Sequence, residues 1–394
     1  MSNLPADPSR AEPWIDWGKA LASQLIVWHH LAHYGPLAAR ARAALPRTVD
    51  WLDQRALLAV QVFLVMAGYL AALSLWPQPG QPRATLADWP RRIGQRWQRL
   101  MPMYLAALGL AVACAALARR WMSDPDTPAA PTLAQLLAHL ALLQDVAEQP
   151  ALSAGVWYVA IDFQLFALLA ALAGAAALWR TPATPLPAGR GRLRTRPRAL
   201  PVAPATHWRT AVSVGLLAGL ALASLTLFNR QPGGDVWATY FIGAYALGVL
   251  AAWGAAGSQR AGWCALIVAL GAAGLWLQWR DRLALALVVA LVLLWQPSHA
   301  WLARVRLARA VAWLASASYA LFLVHYPISL LVNAAFERWL PDGPGLAVLG
   351  LFTAWLASLG AAAVLWSALE RGAWRRWLHL PRADAPALKP ESQA

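Results

Sequence analysis

Between Asp16 and Tyr34 the chain reads DWGKALASQLIVWHHLAHY, an apolar run that also holds Lys19, His29, His30 and His33. Ionisable side chains are costly to bury in such a run, so function is the usual reason for their presence. On a helix, Lys19 and His30 lie roughly 16 Å apart along the axis at about 1.5 Å per residue. Eleven steps of about 100° return them to nearly the same face. One face therefore offers a cation for an anionic ligand at one depth and an imidazole at another. The imidazole, with an unperturbed pKa of about 6.5, is suited to taking a proton from a hydroxyl. His29 points about 100° away, and His33 and Tyr34 fall near the end of the run, so packing or anchoring is expected of these three. The plain alternatives are a histidine satisfied by a neighbouring helix for His30 and a snorkelling side chain for Lys19.

The elements that must position these groups follow from composition. Of 394 residues, 59% are hydrophobic and 13% charged, too little polar surface to cover a soluble globule of this size. Long, nearly uncharged runs recur, each close to the roughly 20 residues a bilayer-spanning helix needs. The expectation is an all-α, polytopic integral membrane protein. The net charge of +15 lies between the apolar runs rather than on one face, so it reads as a topology signal and not as a nucleic-acid surface. Only Lys19 and Lys389 are lysine; every other basic residue is arginine. Cys114 and Cys264 sit in separate apolar runs, which suggests neither a disulfide framework nor a metal site.

About ten spans are expected, at approximately 14–34, 56–76, 103–117, 156–179, 211–228, 236–254, 263–278, 283–296, 311–332 and 346–368. The first is read as uncleaved, because Asp7, Glu12 and Asp16 precede or open it where a signal peptide carries positive charge. Residues 1–13 form a polar lead, 37–54 resemble an interfacial helix, and Leu133 to Leu143 is too short to cross. A Pro- and Arg-rich linker occupies 180–209, and a polar tail 371–394, within one domain covering 1–394. Placing both termini in the cytoplasm puts most of the basic residues inside.

Four constellations then recur in order. Lys19 is followed by His30; Gln61 to Leu70 reads QVFLVMAGYL; Arg96-x-x-Arg99 precedes Pro102; and Trp157 to Phe166, WYVAIDFQLF, is joined by Ser318-Tyr319 ahead of His325-x-Pro327. Together they resemble the family-three membrane acyltransferases, whose patterns are an Arg or Lys separated from a His by ten intervening residues, FFxLSGFL, RxxRxxP, WSLxxEEQFY and SYxxYLxHxP. Ala67 stands at that family's usual serine, and Asp162 at its glutamate. The resemblance covers about residues 14 to 330. It implies a multi-pass protein of the bacterial inner membrane that moves an acyl group, commonly acetyl, from cytoplasmic acyl-coenzyme A to a hydroxyl of an envelope glycan or lipid-linked sugar. Membrane lipids and that acceptor are the implied partners, with no metal and no nucleic acid.

Depth agrees with this reading. Lys19, Arg96 and Arg99 gather at the cytoplasmic level, where the anionic phosphates of the donor would dock. His30, Asp162 and His325 fall at one outer level, roughly 15–20 Å away by helical rise. His30 is the expected general base, with Asp162 to orient it or stabilise its protonated form. His325, Ser318 and Tyr319 are expected to contact the donor or wall the site. Against this stand positive-inside arginines for Arg96 and Arg99, an arginine-paired structural carboxylate for Asp162, and a helix-kink setting for His325 beside Pro327. A proton-coupled transporter or flippase using the same buried groups is the alternative function.

Overall fold

A computed structural model describes residues 13–75, 88–178, 207–257, 259–296 and 306–369. The polar lead up to residue 12, the body of the 180–209 linker and the 371–394 tail lie outside the described residues. Within them every regular element is a helix and there is no strand. The helices are α1 (Pro13–His33), α2 (Pro36–Ala44), α3 (Pro46–Arg55), α4 (Val60–Leu75), α5 (Asp88–Trp121), α6 (Leu133–Ala141), α7 (Val156–Leu178), α8 (His207–Thr226), α9 (Ala238–Ala256), α10 (Arg260–Leu277), α11 (Asp281–Trp295), α12 (Ala308–Trp339) and α13 (Pro344–Leu369).

Every expected span falls on a helix, and among the described residues eight helices are long and apolar enough to cross a membrane. The first and eighth expected spans are not among the eight. Helix α1 carries Asp16, Lys19 and three histidines, and α11 has only 15 residues. The segment read as interfacial becomes the two short helices α2 and α3, and the one too short to cross becomes the nine-residue α6. Helix α6 starts with a reciprocal cap: Thr132 Oγ1 accepts from the Gln135 amide while Gln135 Oε1 accepts from the Thr132 amide. It ends at Leu142 in the left-handed region.

The chain divides into two compact units. The first draws on residues 1–26, 55–99 and 131–315. Its central element is α9: 72% of its most apolar stretch is buried, against 22% for α8 and for α10, and α4, α7, α8, α10 and α11 all pack on it. The most extensive of these contacts, α4 on α9, depends on two glycines. A Cβ on Gly68 would run into the main-chain carbonyl of Tyr245, and one on Gly248 into that of Val65. Without side chains at these points the two backbones approach closely, which in a membrane is a main source of helix association. Beyond the helix ends, Arg280 donates to the carbonyls of Leu225 (2.7 Å) and Gly274 (3.0 Å) and to Asn229 Oδ1 (2.6 Å), satisfying terminal acceptors of α8 and α10.

The second unit draws on residues 27–54, 100–130 and 316–394. Helix α13 packs on α2, where Gly350 leaves room for Leu37, and Trp28 of α1 lies against Phe352 and Trp355. The turn from α1 into α2 is made at Gly35, whose φ of 83° is in the region that favours glycine. Buried Asn333 of α12 closes this turn, its Oδ1 accepting from the Leu37 amide at 3.0 Å. That side chain supplies the acceptor which the start of α2 lacks locally.

Candidate functional site

In the second unit, α1 contributes His30 and α12 contributes His325, respectively 5% and 0% exposed. Their rings stack nearly parallel, with centroids 4.8 Å apart, and His30 Nδ1 lies 2.6 Å from His325 Nε2. His325 Nδ1 faces the Leu321 carbonyl one turn back at 3.1 Å. A carbonyl only accepts, so in neutral His325 the proton sits on Nδ1 and Nε2 is a lone pair. His30 must then donate from its own Nδ1, which leaves His30 Nε2 as an unprotonated acceptor. The pair thus fixes a tautomer in which the second nitrogen of His30, Nε2, is the unprotonated one.

The other histidines of α1 have different partners. His29 Nδ1 meets the Leu52 carbonyl at 3.2 Å, in keeping with packing. His33 Nδ1 meets Asp53 Oδ1 at 2.7 Å, and Asp53 Oδ2 in turn accepts from Arg42, which also holds Asp50. This network borders a cavity of about 270 Å³ lined by His33, Arg42, Asp124, Asp126 and Glu337, among others. Glu337 is paired with Arg40. Asp124 Oδ2 is buried without a hydrogen-bond partner among the described residues, and burial pushes this loop carboxyl up. Tyr34 connects cavity and histidine pair: its ring is 5.6 Å from that of His30 and 5.1 Å from that of Tyr326, whose hydroxyl donates to the Asp126 carbonyl at 2.7 Å. Ser318 is buried on α12, and the Tyr319 hydroxyl donates to the Leu100 carbonyl at 3.3 Å.

In the first unit, Arg96 of α5 and Asp162 of α7 form a close ion pair, with Nη2 to Oδ2 at 2.5 Å. The guanidinium also lies over the Phe166 ring at 5.1 Å. The hydroxyls of Tyr158 and Tyr245 are close enough to interact electrostatically with both charges. Asp162 was expected either to orient His30 or to pair with an arginine, and the second is the contact present; His325 is the group that meets His30. Arg99, one turn after Arg96, is exposed. Lys19 is half-buried on α1, and Gly18 beside it lies against Met66.

Several residues that shape these sites carry no strong signal in the sequence. Tyr245 sits in FIGAYALG, where only the small residues on either side hint that a backbone passes closely. Asn333, a lone amide in an apolar span, is the more readable case. Asp124 and Arg42 are ordinary loop charges until the fold places them at one cavity. Among the described residues, no group of three or more His, Cys, Asp or Glu side chains is arranged to hold a metal ion.

Compared with known families, the chain matches the one described as an acyltransferase domain, acyltransferase 3, over residues 12–370. No curated protein and no solved structure matches the chain.

Proposed function

Because the chain belongs to the acyltransferase 3 family, we propose that it is a membrane O-acyltransferase that carries an acyl group, in the simplest case acetyl, from acyl-coenzyme A to a hydroxyl of an envelope glycan or lipid-linked sugar. The observation that carries the mechanism is the 2.6 Å contact between His30 Nδ1 and His325 Nε2, with His325 Nδ1 fixed on the Leu321 carbonyl. The lone pair left on His30 Nε2 takes the proton of the acceptor hydroxyl as its oxygen attacks the thioester carbon. The C–O bond forms, a tetrahedral oxyanion develops, and its collapse breaks the C–S bond. The departing thiolate recovers the proton from His30, giving the ester and free coenzyme A. While His30 carries the proton, His325 Nε2 accepts from its Nδ1–H and stabilises the imidazolium, so His325 acts as a positioning residue.

The cavity beside Tyr34 and His33 is the acceptor side in this reading. Its carboxylates accept hydrogen bonds from sugar hydroxyls, and one carboxylate oxygen, on Asp124, lacks a donor among the described residues. Donor recognition belongs to the first unit, where exposed Arg99 suits the phosphates of coenzyme A. Lys19 is assigned to the same donor level, and Ser318 and Tyr319 support the helix that presents His325. The protein is assigned to the bacterial inner membrane, with the donor in the cytoplasm.

The test is acetyl transfer to envelope glycan by purified protein. His30→Ala is expected to lower kcat by about 10²–10⁴, the usual contribution of a positioned base. Unchanged transfer by that variant overturns the role of His30. A buried histidine pair also suits a proton relay, so coupled proton flux without acylation would instead establish a transporter.

A further inference from the structure

Arg230, Arg280 and Arg282 come together in the first unit, where α8 and α10 end and α11 begins. Arg280 Nη1 and Arg282 Nη2 donate to one and the same oxygen, the Asn229 carbonyl, at 3.4 and 2.7 Å. Arg230 follows Asn229 in the chain, and its Nη1 reaches the Thr226 carbonyl at 3.3 Å. Every acceptor these three groups meet is neutral: main-chain carbonyls, the Asn229 amide oxygen and the Tyr240 hydroxyl. Among the described residues none of the three is in an ion pair, and Asp281, between Arg280 and Arg282, is taken by Arg55 at 2.6 Å. The hydrogen bonds of Arg280 are thus satisfied while like charges stand together uncompensated, which costs energy until an anion joins them. Burial, with the charges of Arg282 and Arg230, holds the Arg280 guanidinium below its ordinary range.

A groove of about 500 Å³ opens at the same helix ends, lined by Thr226, Ala272, Ala273, Trp276 and Leu277. Its one polar side chain, Thr226, turns its hydroxyl to the Leu222 carbonyl at 2.7 Å, so the groove itself offers a ligand only apolar contact. Its walls face outward: α8 and α10 are each 22% buried over their most apolar stretch, and Trp276 is 91% exposed. Thr226 joins the two features, lining the groove while its carbonyl holds Arg230.

We infer that this is a binding site for an anionic phospholipid, with the phosphate held by Arg230 and Arg282 and an acyl chain laid in the groove. Arg230 and Arg282 keep N–H groups without an acceptor among the described residues, in the planar fork that suits phosphate, and buried Arg280 adds charge behind them. Guanidinium N–H groups beside apolar surface match a phosphate joined to a hydrocarbon chain, which favours a phospholipid over a sugar-bearing lipid. A topology signal does not account for the cluster, because on the orientation proposed for the chain the connections after α8 and α10 face away from the cytoplasm. The inference is independent of acyl transfer.

The experiment titrates the purified full chain in detergent with phosphatidylglycerol or phosphatidylethanolamine and counts bound lipid by native mass spectrometry. Wild type is expected to retain phosphatidylglycerol several-fold better, because the ammonium of phosphatidylethanolamine meets like charges. Arg230 is exposed and holds a single carbonyl, so Arg230→Gln spares the fold. Arg230→Gln and Arg282→Gln are each expected to lower phosphatidylglycerol affinity about fivefold, the usual worth of one arginine near an anionic lipid surface. Arg120→Gln, which removes an exposed cation at the end of α5, is expected to change nothing. Ala272→Phe, which fills the groove, is expected to weaken phosphatidylglycerol as well. Equal retention of the two lipids by wild type overturns the inference, as does the same loss in Arg120→Gln as in Arg230→Gln. Displacement of phosphatidylglycerol by an equal concentration of glycerol phosphate, which has no chain, would make this a plain anion site. Preference for a polyprenyl diphosphate sugar would assign it to a glycan carrier. Either result overturns the phospholipid.

Discussion

At the scale of single residues, what distinguishes His30 from its neighbours is the partner each finds. Three histidines lie within one helical turn of α1, and each Nδ1 has a different acceptor: the Leu52 carbonyl for His29, His325 for His30 and Asp53 for His33. Only His30 is aligned by a second imidazole whose own tautomer is fixed. This predicts a graded response at His325. His325→Ala removes the acceptor for His30 Nδ1–H and is expected to lower kcat by about 10-fold or more with little change in KM. His325→Gln, whose amide oxygen can accept the same bond, is expected to recover part of that loss. Steady-state kinetics on the two variants checks the order; equal kcat in both would mean that His325 acts only by packing.

At the scale of elements, helix crossings and caps place these side chains. Gly68 lies in the run flagged in the sequence, and the structure gives its reason: α9 passes so closely that only glycine leaves room for the Tyr245 carbonyl, with Gly248 in the reciprocal role. Gly68→Ala or Gly248→Ala is expected to destabilise the first unit by about 1–3 kcal/mol, the usual cost of overpacking. Thermal unfolding in detergent would register it, with Gly215→Ala, which meets nothing, as the control. The α6 segment offers a pH test. His139 is fully buried, with Nδ1 on the Gln135 carbonyl at 2.7 Å and Nε2 accepting from the Leu152 amide at 3.2 Å, so it must stay neutral. Burial holds its pKa below the ordinary 6.5, outweighing the upward pull of the Gln135 carbonyl and of Asp145. The unfolded segment therefore binds the proton first. Its stability is complete above about pH 6.5 and falls as the pH drops below that value. Hydrogen exchange at the Leu152 amide is expected to quicken on acidification, and the acceleration should be lost in His139→Gln.

At the scale of the molecule, eight helices among the described residues are long and apolar enough to cross a membrane, and exposed tryptophans stand at helix ends: Trp237 at the start of α9, and Trp276, Trp295 and Trp339 at the ends of α10, α11 and α12. Such placement suits residues that anchor helices at the membrane interface. Orientation is a proposal drawn from the distribution of arginines, and it decides on which side the donor binds. With Cys114 and Cys264 replaced, a single cysteine at Ala188 in the linker is expected to react with a membrane-impermeant reagent only from the cytoplasmic side. Labelling of intact cells at that position would reverse the donor and acceptor sides.

Helical class, the order of the apolar helices, the family and the prominence of His30, Asp162, Arg96 and His325 were all legible in the sequence. Apolar run length and residue spacing are local properties, and a buried ionisable group stands out wherever it falls. Pairing was not legible. Asp162 could have faced an imidazole or a guanidinium, and nothing within its own helix distinguishes the two. The choice of Arg96 for Asp162, of His325 for His30 and of Tyr245 beside the ion pair depends on residues 66 to 295 positions apart in the chain. Those meetings are set by where helices cross, and crossings by small residues such as Gly68 and Gly248, whose effect appears only when the second backbone is in place.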